Sequence, residues 1–399
     1  MSELIKTLKN ISPERNIYIW GAGFFGTFLM RECKSNNINI TGFIDKKELL
    51  EGRMLDGITI FKPDILEKLD KKPFLVLAMA SGYLKGMEES CIQKGFVEGV
   101  DYYATKNHIE FRIDVSGTCN LICPSCPRGN SPHNRIKGFV DLELFKKLVN
   151  KIQEDYPDLI YLPLFVWGEP FLHPHLAECI TYLKEKNIYS VLSSNLSVSK
   201  NLDEVLRINP DWLKVSLSGY YPDVYNTTHT GGNINLVKSN LYKIRYLIDK
   251  YKLATIVEVN YHRYLNNTGK DLEKIRELCE ELDFILHDVN AFYMPMERRL
   301  DFYKNKHVEN LSDLMPLFID KEVVPAKDFN VERLNMRCSF QTNQILIDCN
   351  GQLQLCCVTF DDMNNFDVNY LDTSLPEIIK QKLAHKFCIQ CKGHGLISV

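Results

Sequence analysis

The chain has 399 residues, 45% of them apolar and 25% charged, near the globular average, so wholesale disorder is excluded. Its 48 Lys and Arg against 51 Asp and Glu leave a net charge of -3, which gives no global reason to expect nucleic-acid or anionic-membrane partners. No apolar run approaches the roughly 20 residues a membrane span needs, and the opening Met1–Asn10 lacks the apolar core and cleavage site of a signal peptide, so a cytoplasmic location is expected.

The first hundred residues read as one pattern. A short apolar strand at 16–20 runs straight into Gly21, Gly23 and Gly26, spaced Gly-x-Gly-x-x-Gly, and then into a helical stretch to about Cys33. A second strand at 39–44 ends at Asp45, and a third spans 74–78. Strand, glycine-rich turn, helix, strand and acid make the βαβ unit of dinucleotide-binding folds. Glycines permit the tight turn and close backbone approach, and the helix N-terminus offers unpaired N–H groups to a phosphate. Asp45 falls about 20 residues on, where a ribose-binding acid would sit. Residues 1–105 are therefore expected to form a Rossmann-like domain. Gly21, Gly23, Gly26 and Asp45 are its nucleotide contacts, unless the unit is a scaffold of that shape alone.

Strands and helices then alternate. Strand-like stretches lie at 111–116, 160–166, 190–194, 213–217, 256–260 and 285–291, with helices at about 141–155, 176–186, 201–208, 235–251 and 269–282. Val237, Leu241, Ile244 and Ile248 form one apolar stripe on the fourth helix. Six strands with five intervening helices imply a parallel α/β sheet over 106–297, open or curled toward a barrel. The charged stretch 298–335 reads as a linker. A small domain follows at 336–399, with strands at 344–348 and 352–356 joined through the hairpin signal Asn350-Gly351.

Thirteen cysteines are the unusual feature. A reducing compartment and an odd count both argue against a disulfide framework, which leaves metal or iron–sulfur ligation, or plain burial. Cys33, Cys91, Cys179 and Cys279, scattered singly, read as small buried hydrophobes. Cys119-Asn-Leu-Ile-Cys123-Pro-Ser-Cys126 is different, because it follows the first strand of the alternating region, at the end where parallel α/β folds build active sites. Three thiolates on one loop can hold three irons of a cubane and leave the fourth without a protein ligand. A structural zinc site would need a fourth ligand, and His133 is the one close by.

With this spacing the chain resembles the radical S-adenosylmethionine (SAM) enzymes, whose three-cysteine loop follows the first strand of a partial (β/α)6 barrel. Trp167-Gly168-Glu169-Pro170 is similar to the family's Gly-Gly-Glu-Pro, which holds the methionyl amine of SAM, with Trp167 replacing the first glycine. Ser193-Ser194-Asn195 ends the third strand where the family commonly has Thr-Asn-Gly, and Ser216 matches its fourth-strand serine. The resemblance implies a 4Fe–4S cluster on Cys119, Cys123 and Cys126, and SAM contacts from Gly168, Glu169, Ser194, Asn195 and Ser216. Two departures are plain: Thr228-His229 where many relatives place an arginine, and Ser125 where many have an aromatic over the adenine. Arg128 faces a cofactor, the substrate or solvent.

In the tail, Cys338, then Gly351 separated from Cys356 by four residues, and finally Cys388-Ile-Gln-Cys391 resemble the SPASM and shorter twitch domains. That implies a second, auxiliary 4Fe–4S cluster on Cys338, Cys356, Cys388 and Cys391, with Cys357 the alternative to Cys356 and Cys349 unused. A zinc ribbon is the structural alternative for this set.

The family resemblance implies reductive cleavage of SAM to a 5′-deoxyadenosyl radical, hydrogen abstraction from a substrate in the barrel mouth, and a low-potential electron donor such as flavodoxin or ferredoxin. The leading expectation is an oxidoreductase that dehydrogenates or epimerises a small, carbohydrate-like molecule. Residues 42–45 and 56–60 also resemble the N-terminal domains of sugar-modifying acyltransferases, which points to a nucleotide-activated sugar. Loss of a carbinol proton would need a base, and Glu258, Asn260 and His262 lie on the fifth strand near the mouth. The alternatives are a peptide-modifying maturase and a non-catalytic, metal-stabilised binding protein.

Overall fold

Two strand systems organise the chain, one built on residues up to Ile109 together with Asp158–Tyr161, the other on Glu110–Pro157 and the chain from Leu162 onward. The structure, a computed structural model, describes residues 2–79, 81–131, 137–198, 200–308, 311–319 and 329–396. No described helix is long and apolar enough to cross a membrane.

The N-terminal unit contains β1 (Ile17–Trp20), β2 (Gly42–Ile44), β3 (Met54–Leu55), β4 (Ile58–Phe61), β5 (Phe74–Leu77) and β6 (Tyr102–Ala104). They form one sheet in the order β3-β4-β2-β1-β5-β6. All neighbours pair in parallel except the β3–β4 hairpin. β1 and β5 are buried at every position, as central parallel strands covered on both faces must be, which is why they read as unbroken apolar runs. The β3–β4 hairpin turns on Asp56 and Gly57, both at positive φ (48° and 81°), the backbone that a two-residue turn of matching twist requires.

The second unit begins with β7 (Glu110–Ile113), followed by β8 (Tyr161–Pro163), β9 (Tyr189–Ser194), β10 (Trp212–Leu217), β11 (Ile256–Arg263) and β12 (Ile285–Asn290). Five of them make a sheet ordered β12-β11-β10-β9-β8, parallel from β9 through β12. The helices Leu142–Asp155, Leu176–Glu185, Leu202–Arg207, Ile234–Tyr251 and Lys270–Glu281 alternate with these strands. The expected stripe holds: Val237, Leu241, Ile244 and Ile248 are buried on Ile234–Tyr251, whose Asn233 side chain caps the amides of Asn235 and Leu236. Cys179 and Cys279 are buried within their helices, like the other scattered thiols Cys33 and Cys91.

Two arrangements differ from the sequence expectation. β7 does not pair with β8. It pairs in parallel with β13 (Gln344–Ile347), Glu110 opposite Gln344 through Ile113 opposite Ile347, and β13 carries β14 (Leu353–Gln354) antiparallel on its other side. All four residues of β13 are buried, and such a strand needs a partner on each edge; the free edge of β7 supplies one. The 336–399 segment is therefore continuous with the partial barrel. The stretch 298–335, expected to be a linker, is ordered where described: Met296–Tyr303 and Leu311–Leu314 are helical, and Val308, Leu311, Leu314 and Phe318 bury against Tyr264, Ala291 and Tyr293. Apolar residues three or four apart suffice to bury one face of an otherwise charged segment.

Candidate active site

The site is assembled at the ends of β7 to β11. Asp114, one residue beyond β7 and 0% exposed, receives three consecutive amides from the segment after β8. Its Oδ1 accepts from Val166 (3.1 Å) and Gly168 (3.3 Å), and its Oδ2 from Trp167 (3.0 Å). Burial pushes this carboxyl's pKa up, while the amides and the Arg128 charge pull it back. The effect is to draw the Trp167–Pro170 turn onto the root of the cysteine loop. A Cβ on Gly168 would lie 1.5 Å from the Ser116 carbonyl oxygen, so only glycine permits this approach. The Glu169 amide then donates to the Thr118 carbonyl at 2.8 Å.

Glu169 is the hub of the next layer. Buried at 2% exposure, it accepts through Oε1 from the Phe171 amide (3.1 Å) and the Ser194 hydroxyl (2.8 Å), and through Oε2 from the Asn195 amide (2.8 Å). Burial raises its pKa to about 7. Each carboxylate oxygen offers two lone pairs, so Oε2 keeps acceptor capacity for an incoming ammonium. The Asn195 side chain donates to Asn120 Oδ1 at 3.0 Å and reaches Cys119 Sγ at 3.8 Å. Thus Gly168, Glu169, Ser194 and Asn195, separate in sequence, form one network with the first cysteine. Ser216 lies on the adjoining β10, one residue past the Val215–Ser194 pair.

The thiols of Cys119, Cys123 and Cys126 are each half-buried. Burial first, then the charges of Cys126 and Cys119, push the Cys123 thiol well up, so the three act on one another at short range. The Leu121 amide points at Cys119 Sγ from 3.5 Å, and the Cys126 amide closes the turn on the Cys123 carbonyl at 3.0 Å. Donors aimed at a ligating sulfur, and three thiols gathered at one strand end, fit a cubane bound by three cysteines. Among the described residues no three His, Cys, Asp or Glu side chains close on a point that would hold a single metal ion; a cubane asks instead for one thiolate per iron. His133 lies outside the described residues.

The two departures from the family pattern have local counterparts. Beside Ser125 stands Tyr264, at the end of β11, with the two hydroxyls 2.8 Å apart. Burial, and then the Cys123 and Cys126 charges, raise the Tyr264 pKa to about 12, which places this ring next to the loop. Its position in the chain gave no hint of that. His229 is buried, stacked on Tyr225 (centroids 4.9 Å apart), and bonded through Nδ1 to Ser218 Oγ at 2.6 Å. Its ring also donates to the Ser216 carbonyl, and burial pulls its pKa down to about 3. Arg128 is not solvated: it is 6% exposed, with its guanidinium over the Phe360 ring at 5.4 Å. Trp167 meets the same ring edge-on at 5.9 Å, so the residue replacing the family's first glycine packs against the tail.

Parallel register then places a polar row along the sheet. Lys214 pairs with Glu258, Ser216 with Asn260, and Asn260 with His287. Glu258, 5% exposed, accepts from Trp212 Nε1 (2.9 Å) and bonds His287 Nδ1 (2.9 Å), with Lys214 Nζ 3.8 Å away. Burial, then the charges of Lys214 and His287, bring His262 down to about 4. Glu258, Asn260 and His262 were legible on the fifth strand. Lys214 and His287 were not, although period-two alternation along β10 and β12 carries them.

In the tail, Cys338, Cys356, Cys357, Cys388 and Cys391 gather about one another: burial first, then the charges of Cys338 and Cys388, raise the Cys391 thiol, and Cys338, raised chiefly by burial, also feels Cys357. Cys356, Cys357, Cys388 and Cys391 share an apolar cluster with Met296, Leu300, Leu355 and Phe387. Cys349 is buried apart from that cluster, its thiol toward the Lys137 carbonyl. Four thiols drawn together from separate elements, Cys356 buried and Cys338, Cys388 and Cys391 half-buried, fit a cluster held by four cysteines.

The three glycines of the N-terminal unit's glycine-rich loop have different surroundings. Gly21 has φ +119°, and a Cβ there would meet the Ala78 carbonyl oxygen at 2.3 Å; one on Gly26 would meet the Gly21 oxygen at 1.9 Å, whereas Gly23 has nothing within 4 Å. Asp45 uses Oδ2 to accept from the Ala22 amide (3.1 Å) and Oδ1 from Lys47 (3.0 Å), so its carboxylate shapes the loop.

Residues 113–279 match the family model of the Radical SAM superfamily. A probable GTP 3',8-cyclase of Methanococcus maripaludis is 27% identical over 222 residues, 55% of this chain and 67% of its own length. A GTP 3',8-cyclase of Limosilactobacillus fermentum is 25% identical, covering 50% of this chain and 59% of its own. Among solved structures the chain is similar to anSMEcpe with bound AdoMet, at 17% identity and TM-score 0.47 over 71% of this chain and 88% of that one. It is also similar to Streptococcus suis SuiB bound to S-adenosylmethionine, at 12% identity and TM-score 0.45 over 68% and 65%. The segment 113–279 is a radical SAM domain, the family whose members use a 4Fe–4S cluster and SAM.

Proposed function

We propose that this chain, a radical SAM enzyme by its central domain, dehydrogenates or epimerises a carbohydrate-like substrate, in nucleotide-activated form. The observation that carries this reading is the polar row Lys214, Glu258, Asn260, His262 and His287 along β10 to β12. Alternating donors and acceptors suit a ring rich in hydroxyl groups, whereas an apolar side chain would find little to bury against. When bound, SAM and the clusters supply a hydrogen-abstracting radical and a sink for one electron. Cys119, Cys123 and Cys126 hold the first cluster; Gly168, Glu169, Ser194, Asn195 and Ser216 hold SAM; Cys338, Cys356, Cys388 and Cys391 hold the auxiliary cluster. Glu258 fixes the His287 ring through Nδ1, which leaves Nε2 as the group to take the carbinol proton.

The names of the relatives support a nucleotide, since GTP carries its ribose into a reaction at C3′. In the N-terminal unit the open face of Gly23 is read as the nucleotide contact, with Gly21, Gly26 and Asp45 holding the loop in shape. Flavodoxin or ferredoxin is the proposed electron donor. The test is deuterium transfer into 5′-deoxyadenosine from a panel of deuterated nucleotide-sugars, free polyols and peptides. Label from the nucleotide-sugars or polyols is expected; label from peptides alone would overturn the reading in favour of a maturase.

A further inference from the structure

Lys382 lies on the helix Leu375–Ala384 and is 1% exposed. A lysine this deeply buried is costly unless anions compensate it, and an apolar residue of similar length would fill the same space. Its Nζ donates to the Phe340 carbonyl (2.6 Å) and the Gln344 carbonyl (2.5 Å), which accounts for two of its three donors. The largest charges acting on it are those of Cys356, Cys388, Cys357 and Cys338, and Phe340, whose carbonyl it bonds, packs in the same cluster as Cys356, Cys357, Cys388 and Cys391. The segment is further pinned by Gln341, whose side chain donates to the Lys382 carbonyl at 3.2 Å. A cation is thus built beside the tail's thiol set, its Nζ held by the Phe340 and Gln344 carbonyls.

We infer that Lys382 is the buried counter-cation of the tail cluster, lowering the electrostatic cost of adding an electron there and so raising its reduction potential. This rests on the reading of the tail as a cluster site. A 4Fe–4S cluster on four thiolates carries a net negative charge that grows on reduction, and cluster potentials respond to charge and hydrogen bonding close to the sulfurs. The loop has a buried cation of its own: Arg128 acts on Cys119 and Cys126. Lys382 therefore eases reduction of the tail cluster, as an acceptor of a substrate's electron requires.

The experiment uses the full chain with Cys119, Cys123 and Cys126 all replaced by Ala, reconstituted with iron and sulfide, so that the tail alone can hold a cluster. Failure of that protein to bind about four irons would sink the cluster reading itself. Given a loaded tail, Lys382→Met is expected to move the midpoint in an EPR-monitored redox titration to a more negative value, and Lys382→Arg to restore it most of the way. A loaded Lys382→Met protein with an unchanged midpoint would overturn the inference. Should the Met variant lose its iron, thermal melting of the iron-free proteins decides. A counter-cation predicts that iron-free Lys382→Met melts no lower than its parent, because an uncompensated buried charge has been removed. A clearly lower melting point would show that the lysine only ties the two carbonyls, and would overturn the inference equally.

Discussion

The two cysteine sets of this molecule are made in opposite ways. Cys119, Cys123 and Cys126 come from one short loop, and Cys119 takes hydrogen bonds from Asn195 and the Leu121 amide. The tail set is drawn from several elements: Cys338 precedes the helix Ser339–Thr342, Cys356 and Cys357 follow β14, and Cys388 and Cys391 lie in the helix Lys386–Gly393. It also belongs to an apolar cluster. A site that must admit a ligand needs one face left open, and a local loop held by a rigid strand end provides it. A set with one thiolate for each iron needs no such face, and Cys356, Cys357, Cys388 and Cys391 pack into the apolar cluster.

Four changes would break or sharpen this contrast. The largest effect is expected from Cys126→Ala, which should abolish formation of 5′-deoxyadenosine by dithionite-reduced protein while about half the iron of the wild type remains in the tail. Retained cleavage, measured by chromatography, would remove the loop from the chemistry. Asp114→Ala comes next, since it strips three amides of a fully buried acceptor. A loss of roughly 4 kcal/mol in denaturant unfolding is expected, from about 1–3 kcal/mol for each buried donor left unpaired with partial relaxation. A loss under 1 kcal/mol would show that Asp114 does not organise the site.

Phe360→Ala tests whether the halves are coupled, because that ring packs on both Trp167 and Arg128. About 3 kcal/mol should be lost, as for other buried phenylalanines, with hydrogen exchange rising in the 166–168 amides as well as in the tail. Faster exchange in the tail alone would mean the contact transmits nothing. The last change concerns acid. His229 is held far below its ordinary pKa, at about 3, chiefly by burial. The unfolded chain therefore takes up this proton first as pH falls below 6.5, and stability falls from there down to about pH 3. Replacing His229 by Gln should flatten that slope by one proton, ~1.4 kcal/mol per pH unit. Parallel wild-type and variant curves in urea melts at pH 6, 5 and 4 would show that the ring already titrates in the folded state.

Much of this was legible because it is local. The cysteine loop, the Trp167–Pro170 turn and the glycine-rich turn each lie within one loop, and their spacing carries geometry that L-residues cannot otherwise adopt, as at Gly21 and Gly168. What escaped reading was non-local. Asp114 looks like any strand-end acid until the fold brings three amides to it, and Tyr264 supplies an aromatic beside Ser125 from the far end of β11. Lys382 reads as a surface residue of an amphipathic helix, and only packing against β13 reveals it as buried. The 298–335 segment misled for the reverse reason: its charge is real, but a few apolar residues at helical spacing outweigh it.

The pairing of β7 with β13 also bears on how the protein is made. On the ribosome, the strand that roots the cysteine loop emerges early, yet the partner that completes its hydrogen-bonding edge is translated more than two hundred residues later. Contacts of such separation form late, after a large loop-closure entropy has been met. Until then the nascent loop has an unpaired strand beneath it, so its root is completed only after all the strands of the partial barrel have been synthesised.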